Sequence, residues 1–227
     1  MILQNYLWTA QSFFTPEEVA RIHKAADKLP LKNSMVGQKN QDEDSYTGVI
    51  REGNVDEDIR QGGNKWFVNE EGHMPADIID KIRVALNIAC DECEWYHTIE
   101  YQENPQYTIY EAQPEKKKGD FYTWHTDAGP LKYDNGMHRK LSMTIQLSDS
   151  DDYEGGHFQW LEPQRKFDRL TDDLKIDLTD SVRTIPHSAK QIGSVVVFPS
   201  FVYHQVTPVT KGTRKSLVVW FVGKPYV

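Results

Sequence analysis

At 227 residues, with 38% hydrophobic and 11% aromatic side chains, the chain is long enough and apolar enough to pack one sizeable core, which excludes disorder. Its 26 basic and 34 acidic residues leave a net charge of −8; that balance opposes broad electrostatic binding to nucleic acid or anionic membranes, though not a local basic groove. No apolar run approaches the ~18 residues of a membrane span. The start, Met1-Ile2-Leu3-Gln4-Asn5, lacks a basic region followed by an apolar one, so cytoplasmic residence and no membrane partner are expected.

In chain order, residues 3–8 read as a short edge strand. Thr15 then has the character of a helix N-cap, with Pro16 in the first position and Glu17-Glu18 in the first turn. Val19, Ile22, His23 and Ala26 recur at helical spacing until Pro30. Residues 31–65 are polar and rich in Gly, Asn and Asp, reading as loops around one or two strands. Pro75 opens a helix over 76–94 whose stripe of Ile78, Ile79, Ile82, Leu86 and Ala89 is suited to backing a sheet. Cys90 and Cys93 sit within it, and with no second pair to complete a zinc site they read as helix cysteines. From Trp95 onward the period becomes two, in runs at 97–101, 105–112, 119–126, 139–148, 156–161, 182–186, 193–199, 202–208 and 214–222. The charged stretch 162–181 reads as an insertion. Many short strands after two helices predict an α+β, mainly β fold, a barrel or sandwich buttressed on one side, and eight runs suffice for a double-stranded β-helix, the jelly roll.

Within this pattern lies Phe121-Tyr122-Thr123-Trp124-His125-Thr126-Asp127. Of eight histidines, His125 alone is followed two residues later by a carboxylate. Strand alternation points both side chains to one face, where they can grip one edge of a metal ion. The third ligand of a two-His-one-carboxylate site, the arrangement of non-haem Fe(II) oxygenases, must come from elsewhere. His204 is placed for it, after a turn at Pro199-Ser200. Arg214 follows ten residues later, on a strand whose alternation sets Arg214, Ser216, Val218 and Trp220 on one face and Leu217, Val219 and Phe221 on the other. An arginine turned inward needs an anion, and its planar fork suits a carboxylate, with Ser216 adding a bond. A metal with an open face beside such an arginine suggests a dicarboxylate that chelates at one end; 2-oxoglutarate fits.

His125-x-Asp127, His204 and Arg214, in that order, resemble the 2-oxoglutarate/Fe(II)-dependent dioxygenase superfamily, nearest its prolyl 4-hydroxylase-like branch. Tyr110, the Leu141 to Ser148 strand, Asp151 to Gly156 and the Pro199…Pro208 segment extend the likeness across residues 97–223. The resemblance implies a single domain over 1–227, with helical support and flanking strands in 1–96 and a jelly-roll (cupin-like) core in 97–223. It implies that His125, Asp127 and His204 bind Fe(II) and serve as the catalytic centre, and that Arg214 holds the far carboxylate of 2-oxoglutarate, with Tyr110, Gln146 and Ser216 nearby. Tyr122, Arg139 and Trp220 would shape the substrate pocket. The implied cofactors are Fe(II), 2-oxoglutarate and O2, with ascorbate as reductant. The expected reaction hydroxylates a C–H bond of a peptidyl proline, releasing succinate and CO2. Two alternatives stay open: an oxygenase of a free amino acid, small metabolite or modified nucleobase, and a non-oxidative cupin-like metal-binding domain. A protein, peptide or small-molecule substrate is expected.

Overall fold

A computed structural model describes residues 5–34, 58–116, 118–128, 136–162 and 181–224. Most of the polar stretch 31–65 and nearly all of the 162–181 insertion therefore lie outside the described residues. Two antiparallel sheets dominate. The larger, nine-stranded sheet runs β1 (Trp8–Ala10), β12 (Val195–Pro199), β8 (His138–Gln146), β14 (Val209–Gly223), β6 (Gln106–Glu111), β4 (Gly63–Trp66), β2 (Lys32–Asn33), with β5 (Tyr101–Gln102) and β9 (Tyr153–Gly155) also paired to β14. The five-stranded sheet runs β11 (Val182–Thr184), β10 (Phe158–Leu161), β13 (His204–Val206), β7 (Phe121–His125), β3 (Arg60–Gln61). The two sheets stay separate, so the molecule is an open, two-layered jelly roll rather than a closed barrel.

The two helices form where their local chemistry places them. Helix α1 (Pro16–Ala26) begins in a capping box: the Glu18 N–H donates to Thr15 Oγ1 at 3.3 Å, and the Thr15 N–H donates to Glu18 Oε2 at 2.7 Å. Helix α2 (Ala76–Cys93) turns Ile78, Ile82, Ala85, Leu86 and Ala89 inward. Both stripes pack on the outer face of the larger sheet, where β8 supplies Leu141, Met143 and Ile145 and β14 supplies Leu217, Val219 and Phe221. Each such fully buried side chain contributes about 2 kcal/mol by removal from water. The opposite face of the same strands carries Ser142, Thr144 and Gln146 against Arg214, Ser216 and Trp220, with Ser216 opposite Gln146 and Trp220 opposite Ser142. One face of the sheet is therefore core, and the other is a polar floor beneath the smaller sheet.

Several boundaries differ from the periodicity; the run expected at 214–222 already begins at Val209, and that at 202–208 shortens to His204–Val206. The edge strand falls at Trp8–Ala10, where it pairs with β12, instead of at 3–8. The run 97–101 is extended but pairs only at its end, in β5. The run 156–161 begins later because Gly155 and Gly156 adopt left-handed φ of 75° and 55°, a break that ends β9 in one sheet and lets β10 start in the other.

His23 ties α1 to both β6 and the end of β8. Its Nε2 donates to the Leu147 carbonyl at 3.0 Å, leaving Nδ1 to accept from the Tyr107 hydroxyl at 2.7 Å. Burial lowers its pKa, so the folded chain holds it neutral while the unfolded chain takes up a proton in the ordinary histidine range. The unfolded state then binds more protons, and stability falls as pH drops through that range. His23→Gln is expected to make the pH 7 to pH 5 stability slope shallower, as read by denaturant unfolding at several pH values; an unchanged slope refutes the assignment.

Candidate active site

Three side chains from two adjacent strands of the smaller sheet, and from the bend that follows one of them, converge on one spot. His204 opens β13 and lies directly opposite His125, the last residue of β7. Asp127 lies past the end of β7, so alternation alone does not aim it. A bend does, and the Ser200 carbonyl fixes that bend by accepting the N–H groups of both Asp127 (2.9 Å) and Ala128 (2.8 Å). His125 Nδ1 donates to the Thr123 carbonyl at 2.7 Å and His204 Nδ1 donates to the Val202 carbonyl at 2.9 Å. Each carbonyl acceptor sets the tautomer, leaving both Nε2 lone pairs free. His125 Nε2 stands 3.7 Å from Asp127 Oδ1 and His204 Nε2 stands 3.8 Å from Asp127 Oδ2. The three donor atoms lie within 4.8 Å of one another and can hold a metal ion. Burial pushes the Asp127 carboxyl up, but the electrostatic influence of His204 and His125 beside it outweighs burial and holds the group well below the usual carboxylate range. Burial, with His125 adjacent, pulls His204 down to about 4. A deprotonated carboxylate beside a neutral imidazole is the state a divalent cation binds.

These donors face a cavity that Arg214 also lines. Arg214 is 2% exposed, and among the described residues it forms no ion pair. Its Nη1 donates to Ser216 Oγ and its Nη2 to Gln146 Oε1, each at 3.2 Å. Gln146 Nε2 is buried with no hydrogen-bond partner. A guanidinium and an orphaned amide donor, side by side, fit a carboxylate arriving from the cavity. Room for the arginine depends on Gly156, where an added Cβ would come within 2.8 Å of Arg214 Cδ. Tyr110, opposite Arg214 on β6, is 3% exposed and lines the same space.

The remaining expected residues divide. Tyr122 lines the cavity, its ring stacked on His125 with centroids 3.4 Å apart, and burial pushes its hydroxyl up to about 12, so it stays a neutral phenol. Trp220 also lines the cavity, and its buried Nε1 has no partner. Arg139 does not line it. Its guanidinium lies 4.0 Å over the Trp220 ring and makes a two-bond pair with Glu103 at 2.8 and 2.7 Å. Gln106, Thr108 and Arg60 line the cavity without having been singled out. The first two share a strand face with Tyr110, and alternation from Tyr110 would have found them. Arg60 comes from a two-residue strand inside a polar segment, where no periodic signal exists.

Comparison with known proteins agrees with this geometry. The chain is 36% identical to a PKHD-type hydroxylase of Shewanella oneidensis over 103 residues, 45% of this chain and 38% of that protein. A PKHD-type hydroxylase of Teredinibacter turnerae is 28% identical over 106 residues, again 38% of its length. The matched region thus spans well under half of these relatives. Among solved structures, a viral collagen prolyl hydroxylase from Paramecium Bursaria Chlorella virus-1 superposes with a TM-score of 0.57 at 18% identity, covering 97% of both chains. A Trichoplax adhaerens prolyl hydroxylase, solved with a hypoxia inducible factor peptide fragment, gives 0.60 at 16% identity over 96% of this chain and 84% of its own. These two establish a shared fold. The profile of the 2OG-Fe(II) oxygenase superfamily matches residues 105–222, just over half of the chain and the stretch that holds His125, Asp127, His204 and Arg214, so the chain belongs to that superfamily.

Proposed function

We propose that the chain hydroxylates a C–H bond of a peptidyl proline, consuming 2-oxoglutarate and O2 and releasing succinate and CO2. The observation that supports this most directly is Arg214, a buried guanidinium with no acidic partner among the described residues, in the same cavity as the His125, Asp127 and His204 donors. A non-oxidative metal domain has no need of a dicarboxylate anchor. In this reading His125, Asp127 and His204 hold Fe(II), which supplies O2 activation coupled to oxidative decarboxylation of 2-oxoglutarate. Arg214, Ser216 and Gln146 take the far carboxylate of the cosubstrate, and Tyr110 walls its side. Tyr122 and Trp220 confine the substrate and keep water out. Arg139, locked to Glu103, holds the Trp220 indole in place from behind.

The choice of a peptidyl proline is supported by the prolyl hydroxylases among the structural neighbours, one of them solved with a peptide. Ascorbate as reductant and cytoplasmic residence belong to the same reading, and the free thiols of Cys90 and Cys93 suit a reducing compartment. So does a single domain over 1–227, since both helices share one apolar cluster with the larger sheet.

The test is succinate release from 2-oxoglutarate with Fe(II), ascorbate and proline-containing peptides, followed by mass spectrometry for one added oxygen atom on the peptide. His125→Ala and Asp127→Ala are each expected to drop turnover below about 1% of wild type. If peptides are untouched and a free amino acid gains the oxygen, the peptidyl reading fails while the oxygenase stands. Arg214→Met is expected to weaken 2-oxoglutarate binding by about 10- to 100-fold, the value of a charge-assisted hydrogen-bonded pair, while Mn(II) binding to the triad persists. Gly156→Ala should displace the same guanidinium and raise the KM for 2-oxoglutarate more than it lowers kcat. Equal effects on both constants would argue against the cradle.

A further inference from the structure

The triad accounts for the metal donors and Arg214 for the dicarboxylate, but a second buried guanidinium faces the cavity. Arg60 is 8% exposed and sits in β3, directly opposite Tyr122 of β7 in the ladder. Its Nη2 donates to Gln106 Oε1 at 2.9 Å, and the Thr108 hydroxyl donates to the same oxygen at 3.2 Å. The Arg60 Cζ lies 4.7 Å from the centre of the Tyr122 ring. The His125 imidazole stacks on the same ring, with centroids 3.4 Å apart and an angle of 13°. Guanidinium, phenol and imidazole thus form a column of successive contacts, Arg60 to Tyr122 to His125, that ends on one of the three metal donors.

The order of this column has a physical logic. An aromatic ring is negative on both faces. A guanidinium over the phenol is attracted to it, and so is an imidazole made electron-poor by a bound cation. Apart from the Tyr122 stack, the described residues aim His125 by its Nδ1 bond to the Thr123 carbonyl, about which the ring can rock, and by the tilted His204 ring with centroids 4.2 Å apart. A face-on contact removes this rocking if the phenol itself is held. Arg60 holds it, and Gln106, itself bonded by the Thr108 hydroxyl, holds Arg60.

We propose that Arg60 is a positioning residue of the metal centre, acting through Tyr122 to keep the His125 imidazole in its ligating orientation. This rests on the reading of His125, Asp127 and His204 as the metal site. It assigns a role to a residue far upstream of the His-x-Asp motif, and it gives Tyr122 a task other than lining a substrate pocket. Arg60 touches neither substrate nor metal in this role. Partners such as these, which orient a ligand without binding the metal, commonly account for tenfold or more in metal affinity.

The test uses the full chain, stripped of metal and titrated with Mn(II) while the free ion is followed by electron paramagnetic resonance. Arg60→Met is expected to weaken Mn(II) binding about tenfold. Arg60→Lys, which keeps the cation over the ring, should stay within about threefold of wild type. In a Tyr122→Leu background, Arg60→Met should cause no further loss, because the route to His125 is already cut. Wild-type affinity in Arg60→Met overturns the proposal, as does a lysine variant as weak as the methionine one, or a loss undiminished in the Tyr122→Leu background. Should Arg60→Met not fold, Tyr122→Leu alone must weaken Mn(II) about tenfold, and unchanged affinity there overturns it equally. A wild-type chain that takes up no Mn(II), or a His125→Ala variant that binds as wild type, sinks the metal-site reading as well; the other failures leave that reading intact.

Discussion

Two opposite charges are buried in one cavity without neutralising each other, and that constraint shapes everything around them. Asp127 stays ionised because two imidazoles lean on its oxygens. Arg214 has only a hydroxyl and an amide oxygen for company. Removing such charges from water costs several kcal/mol each unless they are compensated. The apolar cluster behind the larger sheet offsets that cost in the free chain. A divalent cation at one end and a carboxylate at the other would remove it altogether, so binding and stability are linked in this fold.

A single sheet serves both needs because a strand has two faces. In β8 and β14 the odd positions Leu141, Met143, Ile145, Leu217, Val219 and Phe221 lock against the helices. The even positions Ser142, Thr144, Gln146, Arg214, Ser216 and Trp220 make the polar floor. A slip of one residue between these strands would exchange the two sets, placing Arg214 among leucines. Eight paired positions and a helical layer on one side guard against that slip. The metal donors come from the other sheet, so the complete site exists only where the two layers face each other.

Much of this arrangement was readable from residue order, and the reasons differ by element. Helix α1 was legible because a capping box is a local interaction, decided within four residues of Thr15. The faces of β14 were legible because alternation is strict over a long strand. The His125 and Asp127 pairing was readable too, but for an incomplete reason: Asp127 is aimed by a bend tied to Ser200, more than seventy residues away in the chain, not by strand geometry. Arg60 was hidden because β3 is two residues long, and its membership in the sheet is decided by its partner strand β7. Arg139 was assigned to the substrate pocket from the resemblance, and nothing in its neighbourhood reveals Glu103, which holds it from thirty-six positions upstream.

The turn between β12 and β13 does more than connect two strands. It carries the chain from one sheet to the other, its Ser200 carbonyl accepts from Asp127 and Ala128, and its Ser200 N–H donates to Lys140 of β8. His204 begins four residues later. One short peptide segment therefore acts as a common jig for donors drawn from distant parts of the chain. Lengthening it by a residue would misplace Asp127 and His204 together, so the spacing of this one turn constrains the whole donor set.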